Sequence, residues 1–385
     1  MAGEASDAIE RVMSGKSWEE FCDTLKAAGQ TILAEGSPDN ALDRAEGFRY
    51  LSRLTRAALE TFIEHADPLA PVLHRPIHET AKIGADNPDN YYQHATISGQ
   101  YEYRIRGTRG TIHYLDFATQ SAGVGMGGTR QAGHLDGEVL EIAPDGSFEI
   151  SVSCDERPGN WLRMDPDSEA LIVRQTFLDR EVEKPAELSI ERVEPAASSE
   201  RESGSREADP HSDLRPAPLS AELLDKGLAS AAGLVVGCSS LFSGWAQGFK
   251  KNHCNQLPKF NDAVSMGAGG DPNICYYHSY WELGPEEALV IEVMPPECKS
   301  WNFQLDNHWM ESLDYRFHRI SFNKHTARYE EDGSVRLIVA HEDPGNLNWV
   351  ETTGHAQGTM CWRWISADTH PEPQTRVVKL SEIRE

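Results

Sequence analysis

The chain carries one stretch of sequence twice. In the first copy, Asp145-Gly-Ser-Phe-Glu-Ile-Ser-Val is followed by Pro158-Gly-Asn-Trp. In the second copy, Asp332-Gly-Ser-Val-Arg-Leu-Ile-Val is followed by Pro344-Gly-Asn-Leu-Asn-Trp. The two Asp-Gly-Ser turns lie 187 residues apart, from Asp145 to Asp332. A spacing kept over so long a stretch indicates an internal duplication, so the chain must fold into two similar units.

Composition limits the class of protein. With 385 residues, 39% of them hydrophobic, the chain can bury two sizeable cores. A net charge of −25 argues against nucleic acid and anionic membranes as partners, because both carry negative charge. Seven scattered cysteines without C-x-x-C spacing, and no signal peptide or long apolar run, are typical of a cytoplasmic protein. We therefore expect a cytoplasmic location and no contact with nucleic acid or membrane.

The pattern of apolar residues changes along the chain. Apolar positions between Leu42 and Leu59 follow the three-to-four spacing of a helix, with a start signal at Ser37-Pro-Asp. Tyr101, Tyr103 and Ile105 instead alternate with charged residues, as in a strand. The same change recurs in the second half, after a polar stretch typical of a linker. The predicted segments are a helical N-terminal segment (1–85), a β-rich repeat (86–194), a flexible linker (195–220), inter-repeat helices (221–262) and a second β-rich repeat (263–385).

This order predicts an α+β fold. A helical N-terminal segment should precede two duplicated units, each with helix first and antiparallel strands after it. The strands of each unit should form a sandwich or half-barrel, and the units should pack with pseudo-twofold symmetry.

Several aromatic segments in the second copy resemble a known family. They are Ser300-Trp-Asn-Phe-Gln-Leu, the Asp332-Gly-Ser strand, Asn348-Trp-Val and Trp362-Arg-Trp. Together they are similar to the bacterial domain-of-unknown-function family 1214, over about residues 270–370 and, through the internal copy, 90–180. The resemblance implies an antiparallel β-sandwich of jelly-roll type. It implies no activity, so function has to be argued from the residues.

The two copies differ most after the aromatic strand. The first continues into a small-residue loop that contains Gly123-Val-Gly-Met-Gly-Gly, where a dinucleotide site is not expected because no helix follows. The second continues through Asp306-Asn-His-Trp-Met-Glu-Ser-Leu-Asp-Tyr-Arg-Phe-His-Arg. In a helical turn, His308, Glu311, Tyr315 and His318 would share one face. A carboxylate beside an imidazole is suited to proton transfer, although a solvated cluster of ion pairs is the alternative.

A second cluster precedes this segment in Cys275-Tyr-Tyr-His-Ser-Tyr-Trp. On a strand, Tyr276, His278 and Tyr280 would face one side, while Tyr277 and Trp281 would face the other. Tyrosine and histidine together can line a cavity for a planar hydrophobic ligand, and the alternative is a sheet face with satisfied hydroxyl groups.

Three further residues bear on this cluster. His94 of the first copy aligns near Ser279 or Tyr280 and is interpreted as structural. Trp245 and His253, at the end of the inter-repeat helix, could close the same pocket, although hydrogen bonding at the helix end explains them equally well.

The sequence favours an enzyme that acts on a small hydrophobic or aromatic hydroxylated molecule by acid–base chemistry, most simply a lyase of retro-aldol or elimination type. We expect no cofactor and no metal, since no metal-binding signature joins His308 to its acidic neighbours. The catalytic candidates are His308, Glu311, Asp314, His278 and Tyr315. The substrate-binding candidates are Tyr276, Tyr277, Tyr280, Trp281, Trp301, Asn302, Gln304, Trp309, Arg316, Arg319, Trp245 and His253.

Two alternatives stay open. Asp306, Glu311 and Asp314 could act as paired carboxylates of a glycoside or ester hydrolase. A β-sandwich lined with Trp and Tyr could instead bind a small molecule or glycan without reacting. In each case the partner is a small molecule, and symmetric self-association is common enough to expect a homo-oligomer.

Overall fold

A computed structural model describes residues 2–122, 129–193, 218–345 and 347–384. Its N-terminal segment is helical, as expected, and its last helix continues into a single π-helical turn at Glu60–Glu64. Most of the predicted linker, and the glycine-rich loop at 123–128, lie outside the described residues. The N-terminal helices are α1 (Ala2–Ser14), α2 (Lys16–Ile32) and α3 (Ala41–Leu59).

The start of α3 differs from the position that the sequence indicated. Asn40 is the N-cap, and its side-chain oxygen accepts the backbone N–H of Asp43 at 2.9 Å. Ser37-Pro-Asp lies in the preceding turn, because Asn40 satisfies the first free N–H groups of the helix. The inward face of α3 is fully buried at Tyr50 and Leu54.

The first β-rich unit consists of two four-stranded sheets. One sheet has the order β1-β7-β3-β4 and the other has the order β6-β5-β2-β8. A core of apolar side chains fills the space between them. The strands are β1 (Asn90–Thr96), β2 (Glu102–Thr108), β3 (Tyr114–Ala122), β4 (Thr129–Asp136), β5 (Ser147–Ser153), β6 (Trp161–Arg163), β7 (Ser168–Thr176) and β8 (Glu187–Val193).

The second unit repeats this arrangement strand for strand. Its sheets have the orders β9-β15-β11-β12 and β14-β13-β10-β16. It is preceded by α4 (Ala221–His253) and α5 (Asp262–Gly267) and followed by α6 (Ser381–Arg384). The strands are β9 (Ile274–Glu282), β10 (Glu287–Val293), β11 (Cys298–Leu305), β12 (Ser321–Asn323), β13 (Val335–Ala340), β14 (Trp349–Glu351), β15 (Gln357–Ala367) and β16 (Gln374–Lys379).

The shared strand order confirms the predicted α+β fold with two duplicated sandwich-like units. Each unit even keeps one parallel pair in an otherwise antiparallel sandwich, β5 with β6 and β13 with β14. The core of the second unit is rich in tryptophan, with Trp301 stacked on Trp362 at a ring distance of 4.8 Å. This explains why the aromatic motifs are clearest in the second copy.

Helix α4 joins the helical segment to the second unit. Its 33 residues pack against α1, α2 and α3 and also against β9. Among the described helices, α4 alone is long and apolar enough to cross a membrane by length and composition. In this fold its apolar face is partly buried against the N-terminal helices, with Leu228 and Ala231 in their shared core.

Candidate functional site

A cavity of about 260 Å³ lies between the two units. Strands β1 and β7 of the first unit form one wall, strands β9 and β15 of the second unit form another, and α4 closes one side. The α4 side is apolar and includes Leu234, Phe242 and Trp245. Three polar residues of each unit line the strand walls, Tyr92, His94 and Arg174 in the first and Tyr276, His278 and Arg363 in the second. Asn90 and Gln120 of the first unit and Asp86 of the loop before β1 also line the cavity.

The polar wall residues form equivalent pairs, one member from each unit. Tyr92 is paired across the sheet with Arg174, and Tyr276 is paired in the same way with Arg363. Each tyrosine oxygen accepts a backbone N–H from the turn before its strand, Tyr92 from Asn87 and Tyr276 from Asp271, at 3.1 Å in both cases. The cavity therefore has pseudo-twofold symmetry.

This register corrects the expected position of His94. Since Tyr92 is equivalent to Tyr276, His94 is equivalent to His278 and not to Ser279 or Tyr280. The sequence comparison matched the two Tyr-Tyr pairs directly, which shifts the copies by a single residue. Both histidines line the cavity.

The two arginines cross from one unit to the other. Arg174 Nη2 donates to the carbonyl oxygen of Gly269 at 2.8 Å, and Arg363 Nη2 donates to that of Ala85 at 2.5 Å. Gly269 belongs to the loop before the second unit, and Ala85 belongs to the loop before the first. Each unit thus holds the entry loop of the other.

The partners of the two guanidinium groups differ in charge. Arg174 Nη1 donates to Asp116 Oδ1 at 3.0 Å. Arg363 Nη1 donates to Gln304 Oε1 at 2.6 Å and to Asn302 Oδ1 at 3.3 Å. Asn302 is equivalent to Asp116, because each lies opposite its arginine on the neighbouring strand. Arg363 has no carboxylate within 4 Å in the described part of the chain, although its side chain is buried.

The tyrosine and histidine groups offer unused hydrogen-bonding capacity. The hydroxyl hydrogens of Tyr92 and Tyr276 have no acceptor among the described residues. His278 Nδ1 is buried without a hydrogen-bond partner there, and its ring stacks on Tyr276 at 5.6 Å. Burial lowers the pKa of both His94 and His278 to about 3, so both imidazoles are neutral near pH 7.

The segment from Asp306 to Arg319 contains no helix, so the predicted shared face is wrong. An isolated bridge between Asp306 and Ser312 folds the segment back on itself instead. Its first half is buried and its second half is mostly exposed, so the candidate residues in it have unrelated surroundings.

The buried half is tied to the N-terminal helices. Glu311 forms an ion pair with Arg53 at 2.7 Å, and Trp309 Nε1 donates to the carbonyl oxygen of Asp43 at 2.9 Å. His308 Nδ1 lies 2.9 Å from the Tyr280 hydroxyl. Burial raises the pKa of Glu311 and lowers the pKa of His308 to about 4. These contacts hold the helical segment on the second unit.

The exposed half forms local pairs. Asp314 accepts two hydrogen bonds from Arg316, at 2.8 and 2.7 Å, and these lower the pKa of Asp314 to about 2. Tyr315 packs beneath Lys82, whose Nζ lies 4.7 Å from the ring centre. Arg319 Nη1 donates to the carbonyl oxygen of Leu347 at 3.4 Å. Asp314, Arg316 and Arg319 are absent from the lining of the inter-unit cavity.

The remaining candidates divide between core and cavity. Tyr277, Trp281 and Trp301 lie in the core of the second unit. Tyr280 is buried against α4 in a separate apolar cluster. Trp245 lines the cavity, and both Trp245 and His253 border a neighbouring hollow of about 280 Å³.

The sequence reasoning missed Arg363, Arg174 and Tyr92. Arg363 stood in the Trp362-Arg-Trp motif without a role. A stronger signal was available in the turns before the two first strands, Asn87-Pro-Asp-Asn-Tyr-Tyr-Gln-His and Asp271-Pro-Asn-Ile-Cys-Tyr-Tyr-His. Aligning their prolines places both Tyr-x-His pairs in register.

These features define a class of protein, a tandem β-sandwich with a small cavity between its halves that has polar strand walls and one apolar helix wall. Residues 288–369 match the family described as protein of unknown function (DUF1214). A crystal structure of an uncharacterised protein from Burkholderia cenocepacia is 52% identical, covers 97% of this chain and 99% of its own, and superposes with a TM-score of 0.90. The chain therefore belongs to the DUF1214 family, and the resemblance is confirmed for the second copy; the family model does not match the first copy.

A more distant solved structure is the VPA0106 protein from Vibrio parahaemolyticus, at 12% identity. It covers 86% of this chain and 98% of its own, with a TM-score of 0.48. No curated protein matches the chain.

Proposed function

We propose that the protein binds a small, mainly apolar carboxylic acid in the cavity between its two units. The observation that carries this proposal is the environment of Arg363. Its guanidinium is buried beside the cavity, and its hydrogen bonds go to neutral acceptors. A buried cation without a carboxylate partner is costly, and an anionic ligand would remove that cost.

Two tyrosine hydroxyl groups and the apolar wall of the cavity suit the same ligand. The hydroxyl groups of Tyr92 and Tyr276 can donate to carboxylate or hydroxyl oxygens, because their own hydrogens have no acceptor among the described residues. The wall from Phe242 and Trp245 suits a hydrocarbon or aromatic ring. A volume of about 260 Å³ lies below the range of drug-sized ligands, which favours a small acid.

Matched pairs of probes test the charge requirement. Isothermal titration calorimetry of the purified full chain would compare phenylacetate with phenylacetamide and hexanoate with hexanamide. We expect each acid to bind more tightly than its amide by at least about tenfold, because a hydrogen bond to a charged group contributes about 1.5–3 kcal/mol. Equal binding of acid and amide would contradict the proposal.

A variant pair tests the role of Arg363. Arg363→Met should lose the preference for the acid, because the cation near the ligand is removed. Arg376→Met is the control, since Arg376 lies on the exposed sheet of the second unit and pairs with Glu292. An unchanged acid preference in Arg363→Met, with the fold intact by circular dichroism, would also contradict the proposal.

Acid–base turnover of the bound acid, as in the expected lyase, is a second candidate. The observation that favours it is the unpartnered Nδ1 of His278, beside the Tyr276 ring. In such an enzyme His278 would accept a proton from the ligand, and Tyr276 would donate one to the leaving group. A bound carboxylate would favour protonation of His278 by its negative charge.

Turnover is tested separately from binding. Incubation of 3-hydroxy acids with the protein should release an aldehyde or an unsaturated acid, detected by mass spectrometry, and His278→Gln should abolish that release while binding persists. No release from any bound 3-hydroxy acid would leave binding as the function. The geometry does not favour the hydrolase alternative, because Glu311 and Asp314 are each paired with an arginine and Asp306 is fully buried outside the cavity lining. The cytoplasmic location and self-association remain predictions.

A further inference from the structure

Asp116, His134 and Asp271 converge at one end of the interface between the units. Asp116 lies on β3, His134 lies on β4, and Asp271 lies in the turn before β9. One carboxylate oxygen or ring nitrogen from each lies within 4.8 Å of the others. An imidazole nitrogen with two carboxylate oxygens is a donor set that suits zinc, manganese and related divalent ions.

The three candidate donor atoms face one another, and one of them has no partner. His134 Nε2 contacts Asp116 Oδ2 directly, as an ion pair when the imidazole is protonated. Asp271 Oδ2 is buried and has no hydrogen-bond partner among the described residues. The two aspartates are almost completely buried, at 0% and 1% exposure.

The other oxygen of each carboxylate is held by the protein. Asp116 Oδ1 accepts from Arg174 Nη1 at 3.0 Å, and Asp271 Oδ1 accepts from the backbone N–H of Asn273 at 2.8 Å. Metal-binding carboxylates are commonly oriented in this way, with one oxygen hydrogen-bonded and the other directed to the ion.

The opposite end of the interface shows what the fold itself requires. Asn302 is equivalent to Asp116, and Asn87 is equivalent to Asp271. There Asn302 Nδ2 donates to Asn87 Oδ1 at 2.6 Å, and the contact between the units is made by a neutral hydrogen bond. Two buried carboxylates in place of these amides repel each other, and Arg174 and a protonated His134 are the cationic groups beside them.

We infer that Asp116, His134 and Asp271 together bind one divalent transition-metal ion. These residues were not among the acid and histidine candidates of the sequence. Three protein ligands leave at least one coordination position for water or another ligand. The site adjoins the inter-unit cavity through Arg174, which contacts Asp116 and lines the cavity. It does not depend on the proposed binding of a carboxylic acid.

Metal titration of the purified full chain tests the inference. After removal of metal with a chelator and dialysis, zinc or manganese chloride would be titrated and the bound ion measured by competition with a chromogenic chelator. We expect one ion per chain. Asp271→Asn and His134→Ser introduce the residues of the other copy, so the fold should persist while the affinity falls by at least about 100-fold.

The control is His325→Gln, which removes a surface histidine that contacts Asp179 and should leave the affinity unchanged. Asp116→Asn provides a second ligand variant if Asp271→Asn fails to fold by circular dichroism. The inference is overturned if the wild-type chain binds neither ion stoichiometrically. It is equally overturned if folded ligand variants keep the wild-type affinity.

Discussion

Arg174 and Arg363 occupy equivalent places in the two units, but the groups that they contact differ in charge. Arg174 is paired with the carboxylate of Asp116, whereas Arg363 is held by the amides of Asn302 and Gln304. Both arginines make the same kind of bond to the entry loop of the other unit. Each arginine therefore has two roles. Its hydrogen bond to the loop stabilises the fold, and the charge of the side chain next to its guanidinium decides what that end of the interface can bind.

Removal of each arginine should give the largest difference between the two ends. Arg174→Met removes the guanidinium that is paired with Asp116, and breaking a buried ion pair costs about 3–5 kcal/mol. Arg363→Met breaks no direct ion pair and should cost at least about 2 kcal/mol less. Chemical denaturation in metal-free buffer measures both free energies of unfolding. An equal loss of unfolding free energy in both variants would show that the buried carboxylates do not make the two ends of the interface different.

Acidification should affect the two halves of the cavity equally. The pKa of His94 and of His278 is about 3 in the folded protein and about 6.5 in the unfolded chain, so the unfolded chain binds more protons between these values. The stability that each neutral imidazole provides is therefore present above pH 6.5 and is lost as the pH falls, by about 2 kcal/mol per imidazole from pH 7 to pH 5.

His94→Gln and His278→Gln check this pH dependence. The free energy of unfolding would be measured at pH 7 and at pH 5 for the wild type and both variants. Each variant should lose less of this free energy between the two pH values than the wild type does, and by the same amount. Asp306, whose pKa burial raises to about 7, acts in the opposite direction but is present in all three proteins. If one substitution alone removed the whole pH dependence, the two histidines would not be equivalent and the predicted symmetry of the cavity would be contradicted.

Asn302→Asp should convert the second end towards the first. The new carboxylate would pair with Arg363, which would then offer less positive charge to a ligand. We expect the affinity for phenylacetate to fall by about tenfold, which corresponds to about 1.4 kcal/mol. Calorimetry measures this change, and Asn323→Asp is the control, since Asn323 contacts Asp89 rather than Arg363. An undiminished affinity would mean that Arg363 does not attract the acid.

The smallest expected effect concerns the paired hydroxyl groups. Tyr92→Phe and Tyr276→Phe should each weaken binding of phenylacetate by about 3- to 10-fold, because each removes one neutral hydrogen-bond donor worth about 0.5–1.5 kcal/mol. Tyr277→Phe is the control, since the Tyr277 hydroxyl donates to the carbonyl oxygen of His370 on the other face of the strand. Similar losses in both cavity variants would support a ligand that touches both units.

The fold could be predicted from the sequence because its signals are local. Asp-Gly-Ser turns, alternating strands such as Phe148 to Val152, and the repeated spacing each need only neighbouring residues to be recognised. The helix start at Asn40 was missed because Ser37-Pro-Asp carries the same kind of signal a few residues earlier.

The site could be predicted only in part, because it is assembled from strands that are distant in the chain. Tyr276 and His278 were found from the alternation of β9, and Asn302 and Gln304 from the aromatic strand. Nothing local marks Arg363 as their neighbour, since it comes from β15 and meets them by strand pairing. The prediction for the segment after Asp306 was wrong because a sequence rich in titratable residues is the same whether those residues line a cavity or, as here, bind the N-terminal helices.

The exchange of loop contacts between Arg174 and Arg363 has a consequence for how such a cavity changes over time. In a symmetric dimer one gene encodes both walls, so every substitution appears twice and the ligand must tolerate it on both sides. In this chain each wall is encoded by a different part of the gene, and the hydrogen bonds of Arg174 and Arg363 to the loop of the other unit hold the walls together. One half can acquire carboxylates and the other amides, and selection can act on each independently.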